Sequence, residues 1–352
     1  RMNILGYDFT SPASKYVLVL TIVVVMALLA KNMVRSTLCD ALNKRSSEPF
    51  RLACEHLLRG IGRKQRKSLE AMITLIDSTS ISLRGPGFDE WTTATKTRIT
   101  QGLKVHVAID PQQTAPTYVN ITAANVNDLS DALTMPLEAG MTYVFDKGYC
   151  DYNWWHQIDQ VGSFFVTRLK KNANLKQVEN LREEDAPEFI EADESVLFGK
   201  KYLSTRRPNH YRDQTVRRIQ VRRDDHETPL VLVTNDFSRS AEEIADLYKQ
   251  RWQIELFFKW IKQNLKLKRY FGFSENAVRL QIYSALITYL LLHLYQGRSG
   301  CSGSISDFAI RLTHSLFERP LSVEYLEYRR QKRTELKAAQ GSLQLCKGFT
   351  GH

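Results

Sequence analysis

From Ser238 to Tyr270 the chain runs SRSAEEIADLYKQRWQIELFFKWIKQNLKLKRY, one helical pattern whose apolar stripe demands a partner. Ile244, Leu247, Ile254, Phe258, Ile261 and Leu265 recur at helical spacing, so this helix is expected to be buried along one side. Ser240 with Glu243 three residues later is a capping-box signature for its start. Tyr248, Arg251, Glu255 and Lys262 follow at helical offsets that fall within roughly 60° of one another. One face therefore carries a carboxylate flanked by two cations and a phenol, beside the stripe that meets a sheet. The plainer alternative is a solvated face of pairs three and four residues apart.

The sheet is legible upstream. AMITLIDSTSISL from Ala71 is a short apolar run broken by Asp77, and a Gly-Pro-Gly turn follows at Gly85 to Gly87. LKVHVAID (103–110) and TYVNITAA (117–124) read as strands, and a helix is expected from Asp128 to Leu137. TYVFD (142–146) reads as a buried strand ending in Asp146, punctuated by Lys147-Gly148-Tyr149. This order is that of a ribonuclease-H-like α/β domain. Between Asp146 and Glu255 lies more chain than one connection needs. It holds β-like runs at 162–169, 195–200, 214–223 and 229–235, which predict a β-rich insertion.

The expected organisation is a mostly helical N-terminal DNA-binding region over 1–68 and a catalytic core of 69–160 and 236–300. The insertion spans 161–235, and a basic tail covers 301–352. NAVRLQIYSALITYLLLHLYQ (276–296) is very apolar, and its Arg279, Gln281 and His293 suit a helix packed on the sheet better than a membrane span.

Asp77 lies inside an apolar strand, where a carboxylate is costly unless paired or metal-bound. Asp146 ends a second strand, and Glu255 rides the helix expected against that sheet. Three such acids repel one another, and magnesium, with its preference for hard oxygen ligands, answers that need. Two ions could activate a water or a 3′-hydroxyl and stabilise the departing oxygen at phosphorus. Arg251 offers bidentate phosphate binding, Lys262 a point charge and Tyr248 a hydroxyl donor. Trp252 could stack on an unpaired base, with a core or interface tryptophan as the default. Asp110 also ends a strand, but it precedes Pro111 and reads as a turn initiator.

A net charge of +11 and a pI near 9.3 point to a polyanionic partner. Arginines alternate with apolar residues in RRPNHYRDQTVRRIQVRR (206–223), as on a phosphate-tracking strand or a charged edge strand. Five scattered cysteines without a C-x-x-C pair argue against a zinc ribbon or a disulfide framework and fit a reducing cytosol. The run Tyr16 to Ala30, YVLVLTIVVVMALLA, is shorter than the roughly 20 residues a bilayer span requires, so no membrane partner is expected.

Y-x2-R-x3-E-x6-K at Tyr248, Arg251, Glu255 and Lys262 resembles the YREK signature of insertion-sequence-4-type DDE transposases. IDST around Asp77, FDKGY around Asp146 and the QIYSALITYLLL helix support the resemblance, which covers roughly 70–296. It implies a transposase that cuts and rejoins DNA at element ends, resolving the cut through a hairpin. Asp77, Asp146 and Glu255 would hold two Mg2+ ions, for which Mn2+ can substitute. Tyr248, Arg251, Lys262 and Trp252 would contact DNA. The partners implied are terminal inverted repeats and target DNA, with a homodimer at synapsis, in the bacterial cytoplasm and on the nucleoid. Lys147 stands where arginine is commoner in the family. The segment Tyr16 to Ala30 differs from the helical end-recognition domain expected there, as in a truncated or frame-damaged copy. An inactive, transposase-derived DNA-binding protein is the alternative.

Overall fold

The computed structural model describes residues 35–65, 72–92, 101–112, 115–170, 173–198, 209–211, 213–224, 226–264 and 270–317. The run Tyr16 to Ala30, Leu265 and most of the C-terminal basic tail lie outside the described residues. The chain divides into two compact units, residues 1–294 and 295–352.

The first unit is built on one mixed nine-stranded sheet of order β3-β2-β1-β4-β5-β9-β8-β7-β6. Its strands are β1 (Ile73–Ser82), β2 (Gly102–Asp110), β3 (Ala115–Ala123), β4 (Thr142–Phe145) and β5 (Phe164–Arg168). They continue as β6 (Leu175–Asn180), β7 (Ile190–Phe198), β8 (Val216–Arg223) and β9 (His226–Thr234). β1, β4 and β5 run parallel, while β2 pairs antiparallel with β1 and β3 antiparallel with β2. β5, which the sequence pattern groups with the insertion, is bonded to β4, and β9 to β6 extend the same sheet beyond it. The Gly-Pro-Gly turn after β1 holds Gly85 and Gly87 at positive φ of 103° and 86°, which glycine adopts without a Cβ clash.

Helices α1 (Arg35–Lys44) and α2 (Glu48–Gln65) precede β1, and α2 packs on β3 through buried Cys54, Leu57 and Leu58. The α1–α2 corner is tied to the start of α7 (Glu275–Ser299), where the Ser47 amide donates to Asn276 Oδ1 at 2.7 Å. Helix α3 (Asp128–Ala132) is capped by Asn127 and stops short of the expected Leu137. Pro136 lies just ahead, where it would break an interior helical turn.

Strand alternation separates two cores. On one face Ile76, Tyr143, Phe145 and Phe165 meet Trp154, Trp155 and Ile158 of α4 (Tyr152–Gln160), a helix without a clear sequence signal. On the other, α5 (Ala241–Gln250) and α6 (Trp252–Asn264) bury Ile244, Leu247, Ile254, Phe258 and Ile261 as the stripe predicted. Tyr289 of α7 meets the rings of Phe257 and Trp260 of α6 at 4.9 and 5.0 Å. α7 is the one described helix long and apolar enough to cross a membrane, and 67% of its apolar window is buried. In the second unit the described residues include α8 (Ile305–Phe317), whose Phe308 packs on Tyr295 at 5.7 Å.

Candidate active site

The predicted continuous helix from Ser240 is in fact two. Its capping box forms as expected, with Ser240 Oγ accepting from the Glu243 amide and the Glu243 carboxylate accepting from the Ser240 amide. At Arg251 the ladder tightens. The Arg251 amide donates to Tyr248 O at 3.1 Å, and the Ile254 amide donates to Arg251 O at 3.2 Å, both three residues back. Such short 3₁₀-type bonds turn the chain between α5 and α6, and Arg251 sits at that break.

Its guanidinium bridges two acids. One terminal nitrogen lies 3.4 Å from Asp77 Oδ2 on β1, and the other donates to Glu255 Oε1 at 2.6 Å. Asp146, just past β4, is held by Arg168 at the end of β5, whose Nε and Nη2 lie 2.9 and 2.6 Å from its Oδ1. The Tyr248 hydroxyl donates to the same oxygen at 3.3 Å, and Arg251 lies over the Tyr248 ring at 5.7 Å. Parallel β1 and β4 set the first two acids side by side, since Ile76 pairs with Phe145 one residue before each. Helix α6 brings the third.

Burial raises the Asp77 carboxyl to about 6, and the charges of Asp146 and Glu255 push the same way against Arg251. Burial would also raise Asp146, but hydrogen bonds from Arg168 and the Lys147 amide outweigh it and hold the carboxyl below its ordinary value. The Tyr248 phenol is pushed up to about 12 by burial, against the pull of Arg251 and Arg168. Burial lowers Lys262 from the usual lysine value.

Lys262 makes no ion pair among the described residues. It lines a cavity of about 440 Å³ with Ser80, Ser82, Arg84, Phe88 and Tyr270. Trp252 is 59% exposed, which excludes a core tryptophan and leaves the interface default standing. Asp110 accepts from the Gln112 amide at 2.8 Å, as a turn initiator would. Arg168 was missed from sequence. Its only signal is its place at the end of a strand beside the one that ends in Asp146.

Among the described residues no three His, Cys, Asp or Glu side chains stand close enough to enclose a metal as they are. The donor chemistry nevertheless fits a hard divalent cation. Three carboxylates converge, one of them poorly solvated, and two arginines supply the positive charge that this convergence needs. Arg251 Nε is buried without a partner, so its fork is not fully used by the two acids.

Acids from two adjacent parallel strands and a facing helix thus meet on a mixed α/β fold. The chain belongs to the transposase DDE domain family, which it matches over residues 69–291. It is 39% identical over 284 residues to a Sinorhizobium fredii protein named as a transposase, y4zB, across 80% of this chain and 77% of that one. It is 30% identical over 269 residues to a Geobacillus stearothermophilus protein named as a probable transposase of insertion sequence element IS5377, covering 75% and 67% of the two chains. A cryo-EM structure of the piggyBac transposase synaptic complex with hairpin DNA matches at a TM-score of 0.42 and 11% identity. That match covers 74% of this chain and 56% of the other, a likeness too loose to build on.

Proposed function

We propose that this chain is an insertion-sequence-4-type transposase that cleaves and rejoins DNA at element ends, through a hairpin at the transposon end. The observation that carries the reading is the meeting of Asp77, Asp146 and Glu255 around Arg251 and Arg168. The order β3-β2-β1-β4-β5, with β2 and β3 antiparallel, supports a ribonuclease-H-like core, and β6 to β9 fit the expected insertion. Asp77, Asp146 and Glu255 are the residues that would hold Mg2+, or Mn2+ in its place. When bound, two such ions would activate a water or a 3′-hydroxyl and stabilise the departing oxygen.

The protein groups divide the remaining work. Arg251, released from the two acids, presents a bidentate fork to a backbone phosphate. Tyr248 keeps its proton at working pH and donates to a phosphate oxygen. Lys262 adds a point charge on the rim of its cavity. Trp252, exposed at the start of α6, offers a face to an unpaired base. Two DNA ends imply two copies of the chain at synapsis.

The test is labelled DNA carrying the element's own ends, incubated with and without Mg2+, beside Glu255→Gln. Metal-dependent cleavage at the junction that drops at least about 10³-fold in the variant is expected, as for loss of a group that acts in the transition state. A folded wild type that binds the ends and never cuts them would instead identify an inactive relic.

A further inference from the structure

β1 carries a second set of ionic groups, on the face opposite Asp77. Ser78 pairs with His106 of β2, which pairs with Asn120 of β3, and Ser80, Lys104 and Thr122 form the next row. Above these polar rows sits α3. Ser78 Oγ donates to Asp128 Oδ1 at 2.6 Å, and Lys104 Nζ reaches the same oxygen at 3.0 Å while also donating to Val126 O at 2.7 Å. His106 is buried behind them, 1% exposed. Its Nε2 lies 2.8 Å from Thr122 Oγ1, and its Nδ1 has no hydrogen-bond partner though it lies 3.8 Å from Asp128 and 3.7 Å from Asp131.

The neighbouring rows of this face, with Ile76, Ala108, Tyr143 and Phe145, are apolar. Desolvating Asp131, a lysine and a histidine among them, with Asp128 half-buried alongside, is a weak way to stabilise a sheet, since apolar packing of equal volume commonly does as well or better. The cluster does have one outlet toward the reactive face. The Ser78 amide donates to Asp77 Oδ1 at 2.8 Å. Ser78 is thus gripped through its hydroxyl on one side of the sheet and holds the first acid through its backbone on the other.

We propose that Asp128 is a positioning residue for the metal site: anchored by Lys104, it fixes Ser78 and thereby the carboxylate of Asp77. The inference rests on the metal-binding role given to Asp77 above. Partners one shell behind a metal ligand set its orientation, and removing them weakens metal affinity about 10–100-fold. Asp131 supplies the control. It lies on the same face, more deeply buried than Asp128, and bonds to Asn120 Nδ2 at 2.5 Å and not to Ser78.

The experiment measures Mn2+ binding by electron paramagnetic resonance, using the full chain bound to its end DNA. Asp128→Asn and Ser78→Ala are expected to bind the DNA as wild type does and to weaken Mn2+ binding about 10–100-fold. Asp131→Asn lowers the melting temperature and leaves Mn2+ affinity unchanged. Wild-type Mn2+ affinity in folded Asp128→Asn would overturn the proposal, and so would an equal loss in Asp131→Asn. Should Asp128→Asn fail to fold, Ser78→Ala, which deletes a single hydroxyl, decides the matter alone. A wild type that binds no Mn2+ sinks the metal role of Asp77 and this inference together. A wild type and Asp128→Asn with equal affinity sink only the inference.

Discussion

Asp77 shows how one residue sets the proposed metal site against stability. The folded protein keeps its proton up to about pH 6, whereas the unfolded chain releases it near 3.8. Its favourable contribution to folding is therefore complete below the unfolded value and is lost as pH rises through 6. At neutral pH the ionised group destabilises the metal-free protein by up to about 3 kcal/mol. Asp77→Asn should raise the melting temperature in chelator at pH 7.5 and change it little at pH 4. No gain at pH 7.5 would show that Arg251 already neutralises the group in full. Arg251→Ala should do the reverse, leaving Asp77 and Glu255 facing each other. A loss of about 1–3 kcal/mol is expected in chelator, partly restored by millimolar Mg2+. Equal loss with and without the metal would count against a shared cation site.

At the scale of elements, the decisive detail is the break between α5 and α6. The stripe and the capping box were readable because they are local: spacing determines a helix face, and Ser240 with Glu243 satisfies amides within one turn. The break at Arg251 has no Gly or Pro to announce it. Ser240→Ala should cost about 1 kcal/mol through loss of the cap, measurable as a shifted urea midpoint, and should leave end binding intact. Loss of binding would mean that the cap contributes more than helix stability. The short α3 and the unannounced α4 make the same point in reverse, since Pro136 stops the first and packing against Phe145 and Phe165 supports the second.

At the scale of the whole molecule, the strands beyond β5 brace the turn that leads into α5. Arg217 of β8 and Asp193 of β7, both buried, form a bidentate pair at 2.8 and 2.6 Å. The same guanidinium donates to Arg239 O at 2.5 Å and Asp236 O at 3.3 Å, in the turn that leads into Ser240. Asp193→Ala strands a buried guanidinium and should cost about 3–5 kcal/mol. Replacing both residues with apolar ones of similar volume should recover most of that stability in a denaturant titration. If the single variant is near neutral, the turn is held by other contacts.

The sequence by itself determined most of the strands, though not β6, the stripe along which the long helical pattern is buried, and which residues could do phosphoryl chemistry. Periodicity, caps and the cost of a carboxylate in an apolar strand are all local quantities. Even the resemblance at Tyr248, Arg251, Glu255 and Lys262 rests on spacing within one helical pattern. Tertiary structure alone decided what those residues touch. The pairing of Arg168 with Asp146, the bridge of Arg251 between Asp77 and Glu255, and the grip of Asp128 on Ser78 join residues 22, 174 and 50 positions apart. The first pair meets because parallel β4 and β5 end side by side, the others because helices pack over β1, and no periodicity in one stretch of chain encodes which element will lie beside which.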